Sequence, residues 1–341
     1  MRKHTLAVTA AFSILALSAC GSGDTTDSTG AAGAGAGDGA DMRLALNQTE
    51  EHPSFIALDN FGTRLSEETD GRYSIEVYPN EELGAQAEAL QYVGDGSVDM
   101  GIVSGTQLEN LNDDFAAFNM PGAFDSVEHQ MNVIHDEEIV GELYASLEES
   151  NNVTILGGFT QGTRSIYSDA PVETPGDLAG LKIRVQESPL HIGMIEAMGG
   201  SATPMAFGEV YTALQSGVLD GAENNEVSYF TQKHFEVAPF YSRTNHLVGL
   251  DYLIINTDVL NGMSEEDRQA FLDGWTATHE EHTELWAAAT EQAITDAEAG
   301  GATFVEVDAA AFSEALSTLQ DEFLTTDSQK ALFEASRSAA N

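Results

Sequence analysis

Basic residues are scarce in this sequence of 341 amino acids. Only 13 lysines and arginines accompany 56 aspartates and glutamates, so the formal net charge is −43. Such a field repels polyanions, which argues against nucleic acid or an anionic membrane surface as a partner. The excess of acid is typical of halophilic adaptation, and an ordinary acidic extracellular protein is the alternative. At 1 M salt the Debye length is only ~3 Å, so brine would screen the mutual repulsion.

Cysteine is nearly absent, and no apolar stretch is long enough to span a membrane. Cys20 is the only cysteine, which excludes an intrachain disulfide. An apolar run from Leu6 to Leu17 follows a basic start, but it is too short to cross a bilayer. This pattern predicts that residues 1–19 are a secretory signal peptide.

The residues that precede Cys20 predict a membrane anchor. Leu17-Ser18-Ala19-Cys20 is similar to a bacterial lipobox, in which the signal is cut before the cysteine and the cysteine receives a lipid. A plain signal peptide that is cut elsewhere is the alternative. Residues 20–41 consist mainly of small and polar residues and are predicted to be a flexible tether. We therefore expect an extracytoplasmic protein, lipid-anchored to the outer face of the cytoplasmic membrane (periplasm or cell surface).

From residue 42 onwards, short β patterns alternate with helical patterns, which predicts an α/β fold with a mostly parallel sheet. Strands are expected at 42–47, 73–78, 98–103, 153–159, 181–185, 247–256 and 303–307. Helices are expected at 55–69, 85–93, 127–149, 190–198, 209–216 and 264–299, and two more close the chain. The longest helix has Ser264 as its predicted N-cap and ends before Gly300.

Residues 180–226 combine a strand, two helices and a polar end. In the strand, apolar residues alternate with Lys182 and Arg184, and the segment ends in the run GAENNE, residues 221–226. Ligands of open α/β sheets lie at the carboxyl ends of strands. A guanidinium at Arg184, in a strand expected to be covered on both faces, needs a counter-anion. That anion is either an internal carboxylate or the carboxylate of a ligand.

This segment resembles the solute-binding subunit of tripartite ATP-independent periplasmic (TRAP) transporters. The resemblance rests on the strand with Arg184, on TPMAFGEVYTALQSG at 203–217, and on Asp220-Gly221 followed closely by Glu223-Asn224. It extends more loosely from about Met42 to the C-terminus. It implies a two-lobed, periplasmic-binding-protein-like (Venus flytrap) fold, with the ligand between the lobes and a long bracing helix across both. The expected boundaries are 42–161 plus 247–285 for lobe I, and 162–246 plus 286–341 for lobe II.

The resemblance also implies the residues of a ligand site. Arg184 matches the arginine that holds the substrate carboxylate, and a planar guanidinium suits bidentate recognition of that group. Arg164 matches a second cation of the site, and Asn224 matches an amide that bonds the same carboxylate. Phe207 matches an aromatic residue that lines the pocket. The alternatives are a surface-loop arginine at position 164 and simple core packing at position 207.

Lobe I is expected to close over the rest of the ligand. By position in the family, the candidates are Asn47 after the first strand, Gln86 near the start of a helix, and Ser104 at a strand end. Some relatives carry acids at the positions of Gln86 and Ser104. Both residues are neutral here, which leaves the chemistry of the ligand's far end open.

The expected function is that of a binding protein and not of an enzyme. The resemblance implies that it captures a small organic acid and delivers it to the membrane subunits of a TRAP permease. The run GAENNE, with Tyr211 and Tyr229 nearby, is most similar to relatives that bind sugar acids such as uronates. C4-dicarboxylates and other carboxylates are alternatives within the family.

A secreted halophilic hydrolase and a structural surface protein are the alternatives of other classes. The sequence shows no nucleophile with a partnered base and no repeat that would favour either one. His279 and His282 share a helix face, but the order HExxH is absent, and the pair is interpreted as a solvated helix surface. We expect no cofactor and no metal ion.

Overall fold

The computed structural model describes residues 39–339. The predicted signal peptide, the predicted lipidation site at Cys20 and all but the end of the predicted tether lie outside the described residues. Within the described part, every helix is too short or too polar to cross a membrane.

Nine strands of the described chain form one sheet in the order β2-β1-β3-β8-β4-β7-β5-β6, with β9 beside β8. The strands are β1 (Ala40–Ala45), β2 (Tyr73–Tyr78), β3 (Met100–Ser104), β4 (Val153–Ser168), β5 (Lys182–Val185), β6 (Ser201–Pro204), β7 (Gly221–Asn224), β8 (Phe240–Asn256) and β9 (Thr303–Val305). The α/β fold is thus confirmed. The first strand begins at Ala40, inside the segment predicted to be tether.

The α-helices cover the faces of this sheet. They are α1 (Pro53–Glu68), α2 (Gln86–Asp95), α3 (Gly105–Glu109), α4 (Ala116–Asn119), α5 (Val127–Ile134), α6 (Glu137–Ala145), α7 (Glu148–Asn151), α8 (Pro189–Ala197), α9 (Val210–Gln215), α10 (Glu226–Thr231), α11 (Thr257–Gly262), α12 (Glu265–Ala299), α13 (Ala309–Leu316), α14 (Leu319–Phe323) and α15 (Asp327–Ser338). The predicted single helix at 127–149 is wrong. The chain breaks at His135, and the Asp136 side chain caps a new helix by accepting from the Glu138 amide.

Two long antiparallel strands join the two halves of the sheet. β1, β2 and β3 pair in parallel on one side, and β5, β6 and β7 pair in parallel on the other. β4 and β8 run through both halves, with register shifts between Ile155 and Gly158 and between Thr160 and Thr163. The predicted strands at 153–159 and 247–256 are therefore correct but only about half of the observed lengths.

Helix α12 braces both halves, as the resemblance implied. Ser264 caps it by accepting from the Asp267 amide, so the predicted start is confirmed. Near its middle, the Trp275 ring lies 5.1 Å from Phe159 of β4. Further along, the Trp286 ring lies 5.6 Å from His52, which caps α1. The two tryptophans are buried and pack the helix against β4 and α1.

The predicted residue boundaries of the lobes stay a prediction. The described structure adds one observation about the end of the chain. Helix α15 packs against α4 and α6, and Ser336 donates a hydrogen bond to the Ala123 carbonyl. The last helix thus contacts elements that the predicted boundaries assign to lobe I.

Candidate functional site

A cavity lies where the two halves of the sheet meet. Six of the seven predicted site residues line it: Asn47, Gln86, Arg164, Arg184, Phe207 and Asn224. They come from both halves, because Asn47 follows β1 and Gln86 opens α2, whereas Arg184 and Asn224 belong to β5 and β7. The parallel pairing of β5 with β7 places the last two side by side. The fold therefore gathers residues that are up to 177 positions apart, from Asn47 to Asn224.

Arg184 is buried, and its charge has no partner among the acids of residues 39–339. Its Nε and Nη2 atoms donate to the Met205 carbonyl at 2.9 and 2.6 Å. The guanidinium carbon lies 5.6 Å from the centre of the Phe207 ring. Burial lowers the pKa of Arg184, and the field of Glu223 acts in the opposite direction. The remaining N–H groups of Arg184, two of them on Nη1, are therefore available for an anion in the cavity.

Arg164, in contrast, is compensated inside the protein. Its Nε donates to Glu223 Oε2 at 2.6 Å and its Nη2 donates to Glu223 Oε1 at 2.7 Å. Nη2 also donates to the Glu223 carbonyl, and Nη1 donates to Asn224 Oδ1, both at 2.9 Å. The surface-loop alternative is wrong, because this side chain is buried. The internal counter-anion that the sequence left open for Arg184 belongs to Arg164.

Three donors fix the orientation of the Asn224 amide. Its Oδ1 accepts from Arg164 Nη1, from the Asn225 backbone amide at 2.9 Å and from Asn225 Nδ2 at 3.0 Å. Asn225 is itself held as the N-cap of α10, where its Oδ1 accepts from the Ser228 amide. With its oxygen occupied, Asn224 presents its Nδ2 as a donor to the cavity, next to the site of Arg184.

Glu223 is the centre of a buried polar cluster behind the cavity wall. His191 Nδ1 lies 3.8 Å from Glu223 Oε1, and His246 Nε2 lies 3.5 Å from Glu223 Oε2. Burial by itself raises the pKa of Glu223, but the Arg164 charge and the hydrogen bonds from both histidines hold that pKa well below its usual range. Glu223 is therefore ionised, and it fixes Arg164 in one geometry.

Ser104 is the one predicted site residue that does not line the cavity. It ends β3 and caps α3, and its Oγ donates to Gln186 Oε1 at 3.2 Å. Gln186 follows β5, so this hydrogen bond joins the two halves of the molecule. Gln86 supports the same point, because its Oε1 accepts from the Ser104 amide at 3.2 Å.

Other hydrogen bonds hold the cleft closed. Glu81 Oε2 accepts from the Gly208 amide at 3.2 Å. Glu109 Oε2 accepts from Ser188 Oγ at 2.6 Å, at the N-terminus of α8. Each bond connects a residue near β2 or β3 with a residue near β5 or β6. The structure is therefore that of a closed cleft, in which the cavity is shielded from bulk water.

Sequence reasoning missed several residues of the cavity wall, among them Glu81, Gln161 and Asp251. Burial raises the pKa of Asp251 to about 7, although the Arg164 charge acts to lower it. Burial also raises the pKa of Glu81. One signal was present: Asp251 is a single acid inside the apolar strand VGLDYLII. Glu81 lies in a turn with positive φ and has no comparable pattern.

The two histidines of α12 are not on a solvated surface, so that interpretation is wrong. His282 is fully buried, and its ring stacks on Phe159 with the centroids 4.0 Å apart. His279 stacks on His135 with the centroids 3.7 Å apart. Within residues 39–339 no group of three or more His, Cys, Asp or Glu side chains is arranged to hold a metal ion.

Comparisons with known proteins agree with this architecture. The sequence model of the family described as bacterial extracellular solute-binding protein, family 7, matches residues 44–327. A solute-binding protein of Chromohalobacter salexigens is 36% identical over 278 residues, which cover 80% of this chain and 81% of the relative.

Solved structures are similar over nearly the whole described chain. A TRAP periplasmic solute-binding protein from Anaerococcus prevotii, solved with bound α/β-D-glucuronate, has a TM-score of 0.85 and 37% identity, and covers 88% of this chain and 97% of its own. Another from Xanthobacter autotrophicus, solved with bound β-D-galacturonate, has a TM-score of 0.83 and 30% identity, and covers 87% and 99%.

Proposed function

Because this chain belongs to the bacterial extracellular solute-binding proteins of family 7, the binding subunits of TRAP transporters, we propose that it captures a hexuronate and delivers it to TRAP membrane subunits. The observation that carries the proposal is Arg184, a buried guanidinium with no acidic partner in the described chain. A carboxylate that forms two parallel hydrogen bonds with it would neutralise the charge. Asn224 Nδ2 supplies a further donor to the same carboxylate.

The sugar-acid assignment has two kinds of support. The cavity wall is mainly polar, with amides and carboxylates opposite Arg184, which suits a ligand rich in hydroxyl groups. Relatives of 30% and 37% identity were solved with galacturonate and glucuronate bound. Phe207, beneath the Arg184 guanidinium, gives the site one apolar wall for the ring.

The proposal includes a place for the protein in the cell. A lipid at Cys20 and the following tether would hold the binding domain outside the cytoplasmic membrane, close to its permease. Replacement Cys20→Ser is expected to move the protein from the membrane fraction to the soluble fraction. A variant that stays in the membrane fraction would remove the lipid anchor from the proposal.

Calorimetric titration of the purified protein in molar salt tests the ligand. D-Glucuronate and D-galacturonate are expected to bind, whereas D-glucose, which lacks the carboxylate, is not. Arg184→Met should weaken uronate binding by about a hundredfold, on the order of 3 kcal/mol, because it removes the buried partner of the carboxylate. Lys182→Met is the matched control, since it removes an exposed cation from the same strand and should bind like wild type.

Two results would contradict the proposal. The first is a cooperatively folded protein that binds none of the uronates. The second is an Arg184→Met variant that binds as tightly as the Lys182→Met control. Tight binding of succinate with no binding of uronate would instead favour the C4-dicarboxylate alternative.

A further inference from the structure

Two carboxylates of the cavity wall lack donors within the protein. Asp251 is buried on β8, opposite Ser104 in the β3–β8 register, and its carboxylate accepts no hydrogen bond from residues 39–339. Glu81 uses Oε2 to accept from the Gly208 amide, but its Oε1 is buried without a partner. Buried acceptors without donors are costly, so a bound molecule that supplies O–H or N–H groups would stabilise both.

Three amide side chains of the same wall are also incompletely bonded. Asn47 Oδ1, Gln86 Nε2 and Gln161 Nε2 are buried atoms without a hydrogen-bond partner. All three residues line the cavity together with Glu81 and Asp251. The wall thus offers both donors and acceptors, and a hydroxyl group, which donates and accepts, is complementary to both.

The distribution of charge restricts the ligand further. Arg164 is neutralised by Glu223, which leaves Arg184 as the cation of the cavity wall without an internal partner among the described residues. Glu81 and Asp251 supply negative charge on the remaining wall. A ligand with one carboxylate matches Arg184, whereas a second carboxylate would meet acceptors and like charge at short range.

We propose that Glu81 and Asp251 determine specificity: they accept hydrogen bonds from ligand hydroxyl groups and exclude a second ligand carboxylate. This inference rests on the proposed function, since it assumes a sugar acid whose carboxylate lies at Arg184. It assigns the other end of the ligand, for which the sequence suggested Asn47, Gln86 and Ser104 only.

A pair of ligands that differ in one group tests the assignment. D-Glucarate carries the same hydroxyl pattern as D-glucuronate at its inner carbons but has a second carboxylate. Wild type should bind D-glucuronate at least a hundredfold more tightly than D-glucarate. Asp251→Asn and Glu81→Gln should each weaken D-glucuronate binding at least tenfold and should narrow the ratio between the two acids.

The controls separate this inference from the function on which it rests. Glu82→Gln removes an exposed acid next to Glu81 and should leave both affinities unchanged. Melting curves in molar salt identify any variant that does not fold, and the other variant then carries the test. If wild type binds D-glucuronate through Arg184 but both folded variants keep the wild-type ratio, the specificity assignment is overturned while the function stands. If wild type binds no sugar acid, both are overturned.

Discussion

Arg164 and Arg184 are both buried, yet their charges are compensated by different means. Arg164 forms a bidentate pair with Glu223, and Arg184 has only the Met205 carbonyl and the face of Phe207. An isolated buried charge opposes folding, and a paired one costs much less. The protein therefore keeps one cation fixed as part of its framework and leaves the other to be neutralised by the ligand.

This difference predicts opposite effects on stability. Glu223→Gln should lower the free energy of unfolding by about 3–5 kcal/mol, because it leaves Arg164 buried without a counter-charge. Arg184→Met should leave that free energy unchanged or raise it, because it removes a buried charge that has no internal partner. Urea unfolding of ligand-free protein in molar salt measures both. A larger loss in Arg184→Met than in Glu223→Gln would contradict the assignment of partners.

Glu109 predicts a pH effect on stability. Burial raises its pKa from 4.5 to about 7, although Ser188 and Asn119 donate to its carboxylate and act to lower it. Between these two pH values the folded protein binds a proton that the unfolded chain has lost. The free energy of unfolding should therefore fall as pH rises from 4.5 to 7, and Glu109 should account for about 3 kcal/mol of the fall.

The variant Glu109→Gln isolates this contribution, because the amide does not titrate. The difference in stability between Glu109→Gln and wild type should grow as pH rises through this window and level off above it. Glu314→Gln, an exposed acid on α13, is the control for the loss of one charge. A difference from wild type that stays constant from pH 4 to pH 8 would rule out titration of Glu109 in this range.

Among the elements, β4 and β8 show where local sequence patterns reach their limit. Helix α12 was predicted to within one residue, because its cap and its terminal glycines lie next to it in the sequence. The two long strands were predicted at half length, because Gly157 and Gly162 have the pattern of a strand end, whereas in the fold they bend β4 from one half to the other.

The candidate site shows the same limit. Arg184 and Asn224 could be predicted because a compact motif carries them. The pairing of Arg164 with Glu223, 59 positions away, depends on the β4–β7 register and has no local signal. Asp251 and Glu81 were missed because the sequence has 56 acids, and only the fold shows which of them are enclosed.

The bend in β4 leads to a prediction about Gly162. Its φ is +56°, and an added Cβ would lie 2.7 Å from Trp286 Nε1 on the bracing helix. Gly162→Ala should therefore lower the free energy of unfolding by about 2–3 kcal/mol, the sum of left-handed backbone strain and steric overlap. Gly71→Ala is the matched control, since Gly71 has φ +76° with no atom nearby and should cost only about 1 kcal/mol. Equal costs in the two variants would mean that contact with Trp286 does not constrain the strand.

At the scale of the whole molecule, the ligand and the protein carry charge of the same sign. With 56 acids and 13 bases, at least 43 carboxylates have no cation to pair with. Long-range attraction cannot then bring a uronate to the cleft, and affinity depends on short charged hydrogen bonds inside it. Salt assists this arrangement twice, because it screens the repulsion of the ligand and the repulsion between surface carboxylates.

The net charge therefore predicts that the folded state depends on salt. Raising NaCl from 0.1 M to 2 M shortens the Debye length from ~10 Å to less than ~3 Å, so repulsion between neighbouring surface carboxylates is largely removed. The melting temperature should rise by about 10 °C, which corresponds to roughly 3–5 kcal/mol for a chain of this size. Sucrose at equal osmolality is the control, since it stabilises compact states without screening charge and should give a smaller rise. A melting temperature that is flat with salt, or one that sucrose raises equally, would mean that the surface charge does not limit stability and would remove the physical basis for a halophilic protein.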